Sequence, residues 1–435
     1  MEITNTKKYL FETMPVSKAI VSMAIPTIIS QLIHVFYNMV DTFFIGRTGN
    51  SYMMAAVTVT FTLFMMNIAF ANLFGLGGGS LIARLSGVRD FTNARKVSSC
   101  SFYFAMGIAL LYSVILGAFL NPILIFLGAS DATLLYARQY VIWVLVIGNF
   151  PMIMSLTLAH LLRNTGYAKQ SSIGLSSGAV LNIILDPVFM FHVLPPGNEV
   201  TGAALATFVS NLTTCIYFIC IYIIMSKKAP LSANFRDVFS ARKRDLISLF
   251  AVGIPSSFLT LLFDLANIVL NILVASYGDL ELAAIGIVMK AERLPNAINI
   301  AICQGMLPIV AYNYASGNKD RMNCVIRTGR KYGLTVSLIC IVILMLFAGP
   351  VVRIFLSTSA GNLQEALTTI GLGIIFLRIR CLASPVQFLN YHSSFCLQAM
   401  GKGKSTLLHA IVRELVFYIP LMFILNRGFG IHGLI

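Results

Sequence analysis

Charge is scarce in this sequence. Asp, Glu, Lys and Arg make up 11% of the 435 residues, against roughly 25% in soluble domains. With 57% hydrophobic residues and a mean hydropathy of +0.84, the chain reads as an all-α polytopic membrane protein rather than a water-soluble globule. Short segments of alternating polarity are missing, which excludes a transmembrane β-barrel. His-Glu-x-x-His, Gly-x-Ser-x-Gly and paired catalytic constellations are also missing, so an enzyme has no anchor here. The eight cysteines, Cys100, Cys215, Cys220, Cys303, Cys324, Cys340, Cys381 and Cys396, form no Cys-x-x-Cys pair. They are expected to be free thiols, with no structural metal site. Met1 to Lys18 is polar and runs straight into a full-length apolar run, so no cleavable leader is expected.

Two glycine-rich stretches tempt a nucleotide-binding reading and fail it. Gly401-Lys402-Gly403-Lys404-Ser405-Thr406 carries Gln398 where a Walker A loop needs glycine, and it lies between apolar runs rather than after a strand. Gly75-Leu76-Gly77-Gly78-Gly79-Ser80 closes an apolar run and suits close helix packing or a hinge. No cofactor is expected.

What the chain does have is long apolar runs, and eleven read as membrane spans: 17–45, 53–76, 97–119, 133–162, 171–191, 203–225, 246–276, 282–314, 332–348, 366–397 and 405–425. The net charge of +15 follows the topology. Lys7, Lys8, Lys18, Arg84, Arg89, Arg95, Lys96, Arg163, Lys169 and the later clusters up to Lys404 fall at the N-terminus and at alternate loops, whereas Arg47, Arg138, Arg353 and Arg427 mark the other side. That asymmetry puts the N-terminus in the cytoplasm and argues against nucleic acid as the partner of the basic charge.

The chain also repeats itself. Ala24-Ile25-Pro26 through Arg47-Thr48-Gly49 is answered about 230 residues later by Gly253-Ile254-Pro255 through Ser276-Tyr277-Gly278. Ser86-Gly87-Val88-Arg89-Asp90 is answered by Ser316-Gly317-Asn318-Lys319-Asp320, and Asn164-Thr165-Gly166 by Ala399-Met400-Gly401. Two tandem copies in one orientation are the mark of a transporter with parallel repeats. The expected organisation is two six-helix lobes, 1–225 and 246–435, joined by a cytoplasmic linker at 226–245. Gly430 to Ile435 matches the start of the sixth span near Gly202, so the twelfth helix is expected to be missing from this chain.

Ionisable residues inside spans are costly and ask for a partner or a purpose. Asp41 in the first span and Asp186 in the fifth sit at similar depth, with Asn38 and Asn182 a turn away and Thr207 at a comparable level in the sixth. Carboxylate, amide and hydroxyl oxygens at one depth suit a hard cation or a shared proton, although either acid could simply cap a helix end. The second half mixes signs: Asp264, Lys290, Glu292, Arg293, Arg378, Arg380, Arg413 and Glu414 are expected to pair with one another. Pro26 and Pro255 occupy equivalent places and would bend their helices, as moving parts or as static kinks. Met39, Met65, Met66, Met152 and Met154 suit either a forgiving apolar binding surface or ordinary gap filling.

These residues carry a resemblance. Ile25-Pro26, Tyr37-Asn38-Met39-Val40-Asp41-Thr42-Phe43-Phe44-Ile45-Gly46, the glycine-rich close of the second span with Ser86-Gly87, and Leu181-Asn182-Ile183-Ile184-Leu185-Asp186-Pro187 resemble the multidrug and toxic compound extrusion (MATE) family, in the prokaryotic branch with a cation site in the N-terminal lobe. The resemblance implies a monomeric antiporter of the prokaryotic cytoplasmic (inner) membrane. It would export amphipathic, often cationic compounds against H⁺ or Na⁺. It also implies that Asp41, Asn182, Asp186 and Thr207 form the coupling site, that Na⁺ could be carried at Asp41 and Asp186, that Gln31, Tyr37 and Asn38 face the cavity, and that Pro26 is a pivot. Asp264 lies near the place where another branch of the family carries its coupling acid. The rival reading is a lipid-linked oligosaccharide flippase of the same broad superfamily, which Lys290, Arg378 and Arg380 keep open. An intramembrane enzyme and a passive channel rank below it.

Overall fold

The computed structural model describes residues 5–48, 50–195, 197–355 and 363–434. Gly49 and Ile435, which the repeat comparison used, lie outside the described residues. All regular elements among the described residues are helical. A short α1 (Asn5–Lys8) continues as the π-turned stretch Tyr9–Thr13. The first half then runs through α2 (Val16–Arg47), α3 (Ser51–Gly87), α4 (Phe91–Ala118) and the short α5 (Leu120–Phe126). It continues with α6 (Asp131–Val141, extended by the π-turned Ile142–Ile147), α7 (Asn149–Asn164), α8 (Ala168–Val188, extended by Phe189–Val193) and α9 (Glu199–Met225). After the short α10 (Arg236–Phe239) come α11 (Lys243–Ala275), α12 (Asp279–Ala315), α13 (Lys319–Leu346), α14 (Ala348–Phe355) and α15 (Leu363–Cys381). The second half ends with α16 (Ser384–Ala399), α17 (Gly403–Ile411, extended by Val412–Tyr418), α18 (Ile419–Phe429) and α19 (Ile431–Leu434).

Among the described residues nine helices, counted with their extensions, are long and apolar enough to cross a membrane, and two bent pairs bring the number to eleven. The bent pairs are α6 with α7, at 50°, and α15 with α16, at 47°. The fourth and tenth spans, expected as single helices, are therefore broken. At the first break Gly148 lies so near the Trp143 and Val144 carbonyls that a Cβ would come within 2.6 and 2.7 Å of them, and Pro151 in the first turn of α7 offers no N–H to continue the ladder. At the second, Pro385 opens α16 in the same way. Pro26 and Pro255, by contrast, sit inside the continuous helices α2 and α11.

Apolar side chains such as Val114, Ile216, Ile272, Val342 and Phe417 stand exposed on the outer surface, as contact with lipid tails requires. Small residues let the helices approach inside. The glycines at 75–79, expected to close a span, lie instead within α3, which continues to Gly87. Gly75 lies against the His160 ring, Gly78 against Ser101 and Gly79 against Asn164. Gly77 faces the other half, where a Cβ would meet the Leu249 carbonyl oxygen at 2.6 Å. Gly403, in the Walker-like stretch, is pressed on the Ala251 carbonyl of α11, which leaves no room there for a phosphate.

The turns after α7 and α16 are built alike. Gly166 (φ 86°) and Gly401 (φ 75°) adopt the left-handed conformation that glycine tolerates best, and Tyr167 N–H and Lys402 N–H reach back to Leu162 O and Leu397 O at 2.9 Å each.

The two halves meet at the end of the molecule that carries the N-terminus and the basic loops. Ser257 Oγ donates to Ala69 O (2.6 Å), Asn72 Nδ2 to Thr260 Oγ1 (3.0 Å), Ser80 Oγ to Gln398 O (2.6 Å) and Arg163 to Gln304 Oε1 (2.8 Å). Towards the opposite end the helices pack within their own half. Met53, Ala56 and Leu63 of α3 join Tyr112, Val141 and Val200, while Leu270 and Val274 of α11 join Ala284, Phe376 and Leu434. A cleft thus lies between the halves, floored at the basic end.

Candidate functional site

The site is assembled from α2, α6, α8 and α9. On α8 the buried positions Gly174, Gly178, Asn182 and Asp186 recur every four residues, placing them along one helix face. Gly174 lies against the rings of Tyr217 and Phe218 and Gly178 against Thr214, so α9 comes close enough for Thr207 to meet Asn182. In one amide orientation Asn182 Nδ2 donates to Thr207 Oγ1 at 3.3 Å. In the other it donates to Asp186 Oδ2 at 2.9 Å and its oxygen accepts from Thr207 N–H at 3.1 Å.

Asp186 is fully buried, and α2 supplies its neighbours. Asp41 lies within electrostatic reach of Asp186, and Tyr37, one turn earlier, lies near Thr207 and within electrostatic reach of both acids. Asp41 Oδ1 is buried and has no hydrogen-bond partner among the described residues. Tyr140 of α6 completes the group, facing Asp41, Asp186 and Tyr37. Sequence reasoning passed Tyr140 over, because nothing in the order of the chain brings the fourth span to the first and fifth.

The structure therefore brings together Asp41, Asn182, Asp186 and Thr207, with Tyr37 among them. Asn38 is turned back onto its own helix, its Nδ2 donating to His34 O at 2.7 Å, and Gln31 is half-buried on α2 two turns below. Among the described residues no three His, Cys, Asp or Glu side chains converge. The two acids are completed instead by amide, hydroxyl and phenol oxygens, a donor set that fits a proton or a weakly held hard cation.

The second half handles charge differently. Arg380 Nε donates to Glu292 Oε1 at 2.8 Å, with both side chains largely buried, and Tyr418 lies near Arg380. Arg413 pairs with its neighbour Glu414. Glu292 thus finds its partner on the tenth span rather than beside it on the eighth. Asp264 faces Arg293, and Lys290 also lies near Arg293, without a direct ion pair among the described residues. Arg378 is exposed. Arg293 also lies within reach of His34 on α2, so the cleft has a basic patch on its second-half wall, opposite α2.

The family model MatE matches residues 26–188 and again 255–424. The chain belongs to the MATE family. The multidrug export protein MepA of Staphylococcus aureus (strain MRSA252) is 30% identical over 427 residues, covering 98% of this chain and 91% of that protein. A MOP superfamily transporter from Pyrococcus furiosus, described as having a binding pocket of reverse polarity, shares the fold with a TM-score of 0.91 at 24% identity, covering 100% of this chain and 94% of its own. A multidrug resistance MATE transporter in an outward-facing conformation superposes with the same TM-score, identity and coverage. This MATE chain is a multi-pass membrane protein of a transporter family, not an enzyme.

Proposed function

We propose that this protein exports amphipathic, often cationic small molecules by alternating access, coupled to inward movement of H⁺ or Na⁺ at the Asp41 and Asp186 site. The observation that carries the coupling is the buried Asp41 oxygen that has no hydrogen-bond partner among the described residues, within electrostatic reach of the buried Asp186. Such a group is costly in a membrane interior unless a proton or cation neutralises it. Loading and release at this point would bias α2 against α8 and α9, so that ion and drug each lower the affinity for the other. The similarity to a multidrug export protein supports the substrate class.

Two lobes, 1–225 and 246–435 with the linker 226–245, fit the double match of the family model, the like-built turns after α7 and α16, and the bends in the fourth and tenth spans. The basic end would face the cytoplasm of a prokaryotic inner membrane, which makes the cleft open outward. The flippase reading loses ground because Arg380 is held by Glu292 and is not free to take a diphosphate.

The test is ethidium movement in proteoliposomes under separate proton and sodium gradients, with Asp41→Asn and Asp186→Asn alongside. Transport driven by one gradient and lost in both folded mutants supports the reading. Wild-type indifference to both gradients, or normal transport by both mutants, would sink it.

A further inference from the structure

The segment before α2 touches both halves at once. Its second-half anchor is extensive: the Arg321 guanidinium donates to Phe11 O (2.7 Å), Met14 O (2.7 Å) and Leu10 O (3.3 Å), and Asn313 Nδ2 donates to Phe11 O (3.1 Å). The Tyr312 hydroxyl donates to Glu12 Oε1 at 2.6 Å. From this anchor the segment reaches across to the first half. Lys7 Nζ donates to Gly166 O and sits 4.2 Å above the Tyr167 ring, a cation–π placement. Phe11, 3% exposed, is held between Tyr312 and Gly166: it stacks on the Tyr312 ring with centroids 5.0 Å apart, and a Cβ on Gly166 would lie 3.2 Å from its ring. Glu12 also faces Arg89 at 3.9 Å.

We propose that residues 5–14 form a latch that clasps the two halves together at the basic end and holds the cleft closed on that side. The latch is hinged on the second half through Arg321 and Asn313 and releases through Lys7 and Phe11. Its length and bonding support this assignment. Apart from the Tyr312–Glu12 bond, the bonds on the second-half side fix backbone carbonyls of the segment through Arg321 and Asn313 and so do not depend on its own side chains, whereas those on the first-half side come from side chains alone, Lys7 and Phe11 against Gly166 and Tyr167 in the turn between α7 and α8 and Glu12 facing Arg89. Separation of the halves at this end breaks the Lys7, Phe11 and Glu12–Arg89 contacts together and leaves the segment on Arg321. The part that opening plays in transport rests on the alternating-access reading, but the latch itself does not.

Hydrogen–deuterium exchange of the whole chain in detergent or nanodiscs reads the latch directly, in wild type, Lys7→Gln, Phe11→Ala and Tyr9→Ala, the last on the exposed side of the same segment. Lys7→Gln is expected to speed exchange about tenfold at the basic ends of α3 and α12 (80–87 and 307–315), the factor lost with one charge-assisted bond, and Phe11→Ala to speed it at the same places through lost ring packing. The outer ends of α3 and α11 should exchange no faster, and Tyr9→Ala should match wild type. If Phe11→Ala loosens every segment, Lys7→Gln decides: the same local pattern supports the latch, and wild-type exchange overturns it. Faster exchange in Tyr9→Ala equal to that in Lys7→Gln also overturns it. Absent ethidium transport under both gradients would defeat the proposed function and leave these exchange rates as informative as before.

Discussion

Gly77 of α3 lies against Gly253 of α11, so close that a Cβ on Gly77 would come within 2.8 Å of the Gly253 Cα. Two helices from different halves of the chain meet here backbone to backbone, at the floor of the cleft, and Gly253 is pressed in turn on the Leu73 carbonyl. Neither partner can yield, because both obstructing atoms belong to helix backbones. Gly77→Ala or Gly253→Ala should therefore destabilise the folded protein by about 1 to 3 kcal/mol, the range for overpacking. Thermal unfolding in detergent measures it, and an unchanged Tm in both variants would mean that the halves do not meet as described.

Glu292 and Arg380 form a buried ion pair, and removing one member of such a pair leaves the other charged without a partner. Glu292→Gln is expected to cost about 3 kcal/mol. The double change Glu292→Gln with Arg380→Met should recover a large part of that loss, since both desolvated charges are then gone. Tm values for the single and double variants check the cycle.

Asp41 carries the opposite expectation. Its buried Oδ1 has no hydrogen-bond partner among the described residues, so Asp41→Asn removes a half-buried acid without stranding a bonded group. Its Tm should equal or exceed that of wild type, while gradient-driven transport is lost. A clear fall in Tm would show that Asp41 holds the fold rather than an ion.

Asp90 provides a pH-dependent joint outside the membrane. Slight burial pushes its carboxyl up, but the side-chain amide and backbone N–H of Asn93 and the Arg242 guanidinium outweigh this and hold it below its ordinary value. Asn93 Nδ2 donates to it at 2.7 Å and Arg242 at 3.2 Å. A carboxylate with a lowered folded value binds protons more weakly when folded than when unfolded. Its stabilising contribution is therefore present above the unfolded value of about 3.9 and fades as pH falls through the folded one. Protection of the amides at the start of α4 and in α10, taken against their intrinsic exchange rates, should fall below about pH 4 in wild type. In Asp90→Asn it should already be lower at pH 7 and show no such acid step.

Much of this was legible in the residues. Runs such as 17–45 and 246–276 gave α2 and α11 nearly to their ends, because a membrane interior admits only segments that satisfy their own backbone. Asp41, Asn182, Asp186 and Thr207 stood out because polar groups are rare where the surroundings are lipid. The bends at Gly148 and before Pro385 were not legible, since an apolar run reads the same whether straight or broken, and the choice falls to packing against neighbours.

The sequence by itself determined where the long apolar helices run and that basic charge gathers at one end of the molecule. Only the tertiary structure decided which helices became neighbours: that Tyr140 joins the two acids, that Glu292 takes Arg380 rather than a charge on its own helix, and that Phe11 lies between Tyr312 and Gly166. The physical reason is that span formation depends on local hydropathy, a property of neighbouring residues, whereas these contacts depend on where small residues such as Gly77, Gly178 and Gly253 allow one helix to approach another hundreds of positions away.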